Sequence, residues 1–272
     1  MLPGWMRKDV DMLGRNSLQE LRLRTSQQPE LVLSDGCRWL SRAVVPDDLH
    51  YVINVASQYS PWAASTAAEG YITAPGGHRV GICGDGVMDG GTMRGIRNPT
   101  SLCIRVARDF PDIGRSTLCY TGSLLIIGRP GSGKTTLLRD IIRQRSDMRP
   151  GSIAVVDERG ELFPVAKDKA CFDPGIRTDV LRLCGKEQGI LNVLKTMGPS
   201  CIAVDEITEE GDCKALLQAG WCGVSLLATA HAADRNDLFR RPVYRSLIDC
   251  RLFDTLLIMQ PDKSFKAERM TL

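Results

Sequence analysis

Residues 124–145 read LLIIGRPGSGKTTLLRDIIRQR. Four aliphatic residues run into a glycine-rich turn, and Leu137, Leu138, Ile141 and Ile142 then recur at helical spacing. The order is strand, loop, helix. The turn fits G-x-x-x-x-G-K-[ST], a pattern for which about 0.01 chance matches are expected in a chain of this composition. Glycines let backbone N–H groups converge on a phosphate, and the following helix adds the positive end of its dipole. Gly128, Arg129, Pro130, Gly131, Ser132, Gly133, Lys134, Thr135 and Thr136 are therefore the candidate phosphate-binding residues. Lys134 would neutralise the terminal phosphates of a nucleoside triphosphate, and the Thr135 hydroxyl would face Mg²⁺.

Beyond this stretch, the apolar runs IAVV (153–156), CIAV (201–204), VSLLAT (224–229) and TLLIM (255–259) alternate with helical patterns. Unbroken runs suit strands covered on both faces, and strands alternating with helices imply a parallel sheet. TDVLRLCGKEQGILNVLKTM (178–197) and EEGDCKALLQAGW (209–221) are read as further helices. The expected fold class is α/β: a P-loop NTPase of RecA-like type, its mostly parallel sheet covered by helices on both faces, over residues 113–272. A smaller α+β domain is expected over residues 1–112. There ELRLR (20–24), ELVLSDG (30–36) and NPTSLCIRVAR (98–108) read as strands, Pro46–Ser57 as a helix, and YITAPGGHRVGICGDG (71–86) as a hairpin zone turning at PGG. Phe110–Gly122 reads as a linker.

Composition narrows the function classes. The chain has 272 residues, 43% apolar and 25% charged, with a formal net charge of +3. That balance belongs to a folded globular protein and does not announce a nucleic-acid footprint. No run approaches the ~20 apolar residues of a membrane span, and MLPGWMRKDV lacks the apolar core of a secretory signal. Ten scattered cysteines without a C-x-x-C, beside three histidines, read as reduced thiols rather than as a metal cluster or disulfide framework. Among residues 1–115, 12 of the 13 basic residues are arginine, the side chain suited to forked contacts with phosphate.

The phosphate loop needs carboxylates on neighbouring strands. CIAVDE supplies Asp205 as a Mg²⁺ ligand through water and Glu206 to polarise an attacking water, which separates hydrolysis from kinase transfer. VVDERGEL adds Asp157, Glu158 and Glu161, read either as carboxylates at the γ-phosphate or as ion-pair partners of Arg159 or Arg177. ATAH brings Thr229 and His231 to the same sheet edge, where His231 would sense the γ-phosphate by hydrogen bonding or simply pack. Asp140 in the first helix is the one feature that suits a phosphate-loop kinase.

Phosphate loop, acidic box (VVDERGELF), second acidic strand (CIAVDEI) and histidine box (LLATAHA) occur in an order that resembles the secretion ATPases of type II and type IV secretion and pilus assembly. Over nearly its full length, including ELRLR and GGHRVGICGDGV, the chain is similar to the stage III sporulation AA family of spore-forming Firmicutes. The resemblance implies ATP and Mg²⁺ as cofactors. It matches Glu161 to the glutamate of the acidic box, Glu206 to the glutamate ending the second acidic strand and His231 to the histidine of the histidine box; with Glu158 these form the candidate catalytic set. It also implies a homo-oligomer, a hexamer in the related ATPases' manner, working on membrane components of a sporulation channel. Such a protein would sit in the mother-cell cytoplasm, peripheral to the membrane facing the forespore. First-domain arginines would reach the nucleotide, and Arg79, Arg97, Arg105 and Arg108 lie in the matching zone. Two positions depart from the secretion ATPases, which carry glycine where Asp205 stands and arginine where Thr208 stands. The other class of function that the same core serves is a RecA-like nucleic-acid-remodelling ATPase, ranked second because a basic stripe with interleaved aromatics is missing.

Overall fold

Leu21 and Leu23 alternate with arginines, and Leu31 and Leu33 repeat the period two residues apart, so each strand offers one apolar face. In the computed structural model, which describes residues 1–13, 17–33, 35–59, 70–166 and 169–270, these four leucines are buried in one cluster. The chain divides into two compact units, Met1–Arg108 with Pro164–Cys171, and Asp109–Phe163 with Phe172–Leu272.

The first unit contains α1 (Gly4–Met12), β1 (Leu18–Arg24), β2 (Glu30–Leu33), β3 (Gly36–Trp39), α2 (Pro46–Ala56), β4 (Tyr71–Ala74), β5 (His78–Asp89) and β6 (Thr92–Arg105). Its six strands lie in the order β3-β2-β1-β6-β5-β4, antiparallel throughout. Leu49, Val52 and Ala56 of α2 and Met6 of α1 bury against Leu21, Leu23, Val80, Leu102 and Ile104. The β4–β5 turn falls at PGG, with Gly76 and Gly77 at φ 87° and 78°, a region glycine enters without a Cβ clash.

The second unit contains β7 (Leu124–Gly128), α3 (Lys134–Met148) and β8 (Ile153–Asp157). The short pair β9 (Val165–Ala166) and β10 (Lys169–Ala170), which falls with the first unit, comes next in the chain. Then follow β11 (Thr178–Arg182), α4 (Lys186–Thr196), β12 (Cys201–Ile207), α5 (Glu210–Trp221), β13 (Ser225–His231), α6 (Arg235–Arg240), α7 (Arg245–Asp249), β14 (Thr255–Met259) and β15 (Phe265–Arg269). The sheet runs β11-β8-β12-β13-β7-β14-β15, and only the β14–β15 pair is antiparallel. Every residue of β7, β8 and β14 is buried, which accounts for their unbroken apolar runs. Burying each such Leu or Ile side chain contributes about 1.5–3 kcal/mol.

One element differs from the expected pattern. Thr178–Arg182 opens a segment read as helical, yet it forms an edge strand parallel to β8, from Thr178↔Ile153 to Arg182↔Asp157. The helix begins only at Lys186, after Gly185. Five residues are too few for periodicity to separate a strand from a first helical turn. The β-branched Thr178 and Val180 favour the strand once a partner edge is present.

The stretch read as a linker is fastened to α3. Asp140, 2% exposed, accepts from the backbone N–H groups of Gly114 (2.7 Å) and Asp112 (3.2 Å) and from the Arg143 guanidinium (2.6 Å). Arg145 donates to the carbonyls of Gly122 and Tyr120, and Arg149 to those of Leu118 and Tyr120. Asp140 is thus engaged by backbone donors, which removes the one feature that suited a kinase. Asp140→Ala strands those donors and should cost about 2–4 kcal/mol, read as a lower urea midpoint. An unchanged midpoint would refute this account.

Candidate functional site

In a parallel sheet all strands end on one edge, and ligands bind beyond their carboxyl ends. Here β13 lies between β12 and β7, with His231 opposite Gly128 and Ala230 opposite Ile207. The register brings phosphate loop, second acidic strand and histidine box to one edge.

The loop has the conformation its glycines predict. Gly131 and Gly133 adopt φ 75° and 97°, a left-handed region where a side chain is strained. A Cβ on Gly128 would lie 2.5 Å from Ser132 Oγ and 2.8 Å from Met259 Cβ, so only glycine fits. No side chain caps the start of α3, so its first N–H groups face the loop. Arg129 and Pro130 are exposed, and Thr136 is half-buried in the first helical turn. Ser132 Oγ is buried without a hydrogen-bond partner among the described residues. The Lys134 ammonium donates to the carbonyls of Gly128 (2.9 Å) and Arg129 (3.0 Å) and lies 3.2 Å from His231 Nδ1. Burial pulls this ammonium below the ordinary lysine value, opposed by the charges of Asp205 and Glu206.

An ammonium only donates, so His231 Nδ1 accepts from Lys134 and Nε2 carries the ring proton. That proton points to Glu206 Oε1, 2.9 Å away. The other Glu206 oxygen, Oε2, accepts from Arg159 at 2.8 Å. Beside them, Thr135 Oγ1 donates to Asp205 Oδ2 (2.7 Å), Thr229 Oγ1 donates to Asp205 Oδ1 (2.6 Å), and Glu206 N donates to Thr229 Oγ1 (2.8 Å). Glu206 has φ 55°, and the ladder to β13 slips between Val204 and Ile207. A non-glycine residue held left-handed costs about 1–2 kcal/mol, strain of the kind found where a side chain must be aimed.

The acidic box splits by role. Asp157, 2% exposed, accepts from the N–H groups of Glu161 (2.9 Å) and Phe163 (3.0 Å), and burial pushes its carboxyl above the usual aspartate range. Arg139 donates to the carbonyls of Leu162 (2.6 Å) and Glu161 (3.0 Å), its guanidinium 4.0 Å from the Phe172 ring centroid. Together they hold the loop that carries Glu161. Glu158 is ion-paired with Lys186, which also lies 3.6 Å from Asp212. Asp157, Glu158, Arg159, Glu161, Lys186, Asp205 and Glu206 line one cleft. Of the two arginines read as partners of the box, Arg159 instead reaches Glu206, and Arg177 donates to the carbonyls of Ser146 and Asp147. The 47-residue separation of Arg159 from Glu206 left no local signal for that contact.

In the first unit, Arg79 stacks 3.9 Å from the Tyr71 ring centroid, Arg105 pairs with Glu20 at 3.5 Å, Arg108 donates to the Leu18 carbonyl, and Arg97 is exposed on β6.

A family described as "Sporulation stage III, protein AA" matches residues 5–268. The chain is 36% identical over 250 residues to "Stage III sporulation protein AA" of Bacillus subtilis (strain 168), covering 88% of this chain and 81% of that protein. Its fold is similar to the ATPase DotB of Yersinia pseudotuberculosis, with TM-score 0.66 and 16% identity over 98% of this chain and 79% of that one. It is also similar to the pilus retraction motor PilT, determined with bound ADP, with TM-score 0.58 and 14% identity over 93% of this chain and 76% of that one. The chain thus shares the fold of these structures, and its phosphate loop lies in the second unit.

Proposed function

Since the chain belongs to the sporulation stage III protein AA family, we propose that it is an ATP-hydrolysing motor of the secretion type. One observation carries the reading: Lys134, His231 and Glu206 form one hydrogen-bonded chain, beside a second through Thr135, Asp205 and Thr229, at the edge where the phosphate loop opens.

The residues present suit Mg·ATP. The glycine cradle, an uncapped helix start and the unpartnered Ser132 hydroxyl offer donors to an anion. Lys134 is desolvated and bound by carbonyls and an imidazole, not by a carboxylate, so phosphate oxygens are its natural counter-charge. Among the described residues no three His, Cys, Asp or Glu side chains form a metal group by themselves. Thr135 and Asp205 are the hard oxygen ligands suited to Mg²⁺ held largely by phosphates and water. When bound, the ion neutralises charge developing on the phosphates. Lys134 exchanges its carbonyl partners for phosphate oxygens. Asp205 orients the Thr135 hydroxyl. Glu206 takes a proton from the attacking water, and Glu161 lines the same cleft. The Lys186 pairing favours a supporting role for Glu158.

The larger reading follows the family. Six copies would form a ring, with Arg79, Arg97, Arg105 and Arg108 as the candidate arginines reaching nucleotide. The ring would drive membrane components of a channel between mother cell and forespore from the mother-cell cytoplasm. No helix among the described residues is long and apolar enough to cross a membrane. The test joins two measurements on the full chain: phosphate release from ATP with Mg²⁺, and mass in solution with and without nucleotide. Hydrolysis with nucleotide-dependent sixfold assembly is expected. Absence of ATP uptake would end the reading. Strong stimulation by single-stranded DNA would transfer it to the nucleic-acid remodeller.

A further inference from the structure

We propose that Arg159 is a positioning residue for hydrolysis, holding the Glu206 carboxylate in the orientation from which it accepts a proton. The inference rests on Glu206 being the base and goes beyond that reading by naming what aims it.

Glu206 is restrained at both ends. Its backbone N–H is tied to Thr229 Oγ1, itself tied to Asp205, and its φ of 55° turns the side chain out of the strand's regular alternation. At the other end, His231 donates to Oε1 at 2.9 Å and Arg159 to Oε2 at 2.8 Å. A carboxylate has about four lone-pair positions. One donor on each oxygen fixes the plane of the group and still leaves a lone pair on each for water. With His231 alone, the carboxylate turns about the bond to that single donor.

Arg159 sits two residues beyond Asp157 on the loop that Asp157 and Arg139 hold rigid. Its own position is therefore set by the acidic box, which reaches the Glu206 carboxylate through this guanidinium. The pair is partly open to water, with side chains 52% and 26% exposed, so it adds little to folding. Orientation is where it has leverage, because misplacing a reacting group by about 1 Å can cost on the order of 100-fold in rate.

The test is a cycle of Arg159→Ala, Glu206→Gln and the double variant in the full chain, assayed by single-turnover ATP hydrolysis, with KM from steady state. Arg159→Ala is expected to lower kcat by about 10- to 100-fold with KM and thermal midpoint unchanged. In the Glu206→Gln background it is expected to change nothing further. Arg159→Lys should recover part of the loss, and serves if the alanine variant folds poorly. Equal losses in both backgrounds, or a raised KM, would overturn the proposal, since Arg159 would then act on nucleotide or fold rather than through Glu206. Unchanged kcat in Arg159→Ala, with Glu206→Gln inactive, would overturn it while leaving Glu206 as the base. If Glu206→Gln hydrolysed at the full rate, the assignment of Glu206 as the base would fall, and this proposal with it.

Discussion

Lys134→Ala is expected to weaken Mg·ATP binding by about 100-fold or more while leaving the fold intact. The two halves of that expectation have different causes. In the structure the Lys134 ammonium is buried, bound by two carbonyls and an imidazole, and pulled by desolvation below its ordinary value. A cation so placed contributes little to stability, because its desolvation offsets its hydrogen bonds. With triphosphate bound, the same ammonium makes charge-assisted bonds in a site already dry. Removing one partner of such a buried pair costs about 2–5 kcal/mol. Every 1.4 kcal/mol is about tenfold in affinity, so a loss of about 2.8 kcal/mol, inside that range, gives the hundredfold figure. Isothermal titration with a non-hydrolysable ATP analogue, alongside a thermal melt, measures both. Wild-type affinity in the variant would sink the phosphate-loop reading, whereas a collapsed melt would show that Lys134 instead supports the fold.

Glu206→Gln should separate binding from chemistry. Glutamine keeps length and shape, but its amide has little basicity, so the variant should take up ATP normally and hydrolyse it about 10²–10⁴ times more slowly. Because an amide offers one acceptor oxygen in place of two, either His231 or Arg159 loses its partner. Both pairs are part-exposed, so stability should move by no more than about 1 kcal/mol. Nucleotide-dependent assembly should persist, since Lys134 and the loop are untouched. A variant as fast as wild type would pass the role of base to Glu161, the remaining acid of the cleft that the acidic-box match singles out.

Much of this arrangement was legible beforehand, because its signals are local. An unbroken LLII before GRPGSGKTT can be little other than a buried strand feeding a phosphate loop, since both glycine conformation and helix start are read within nine residues. The paired acids of CIAVDE and the histidine of LLATAH were legible as strand ends for the same reason. Thr178–Arg182 was not, because five residues carry no decisive period and the strand exists only by pairing with β8. Glu158 and Glu161 looked alike in VVDERGEL, and what distinguishes them is Lys186, 28 residues from Glu158 along the chain.

The sequence by itself determined the fold class and the chemistry on offer: which turn can hold phosphate, and which carboxylates and imidazole end the neighbouring strands. Those properties follow from residue type and short spacing. Tertiary structure alone decided who faces whom. Lys134 meets His231 across 97 residues, and Arg159 meets Glu206 across 47. Strand order and register place them together, along with a bulge that turns Glu206 into the left-handed region. Such contacts depend on the packing of the whole sheet, and no window along the chain contains them.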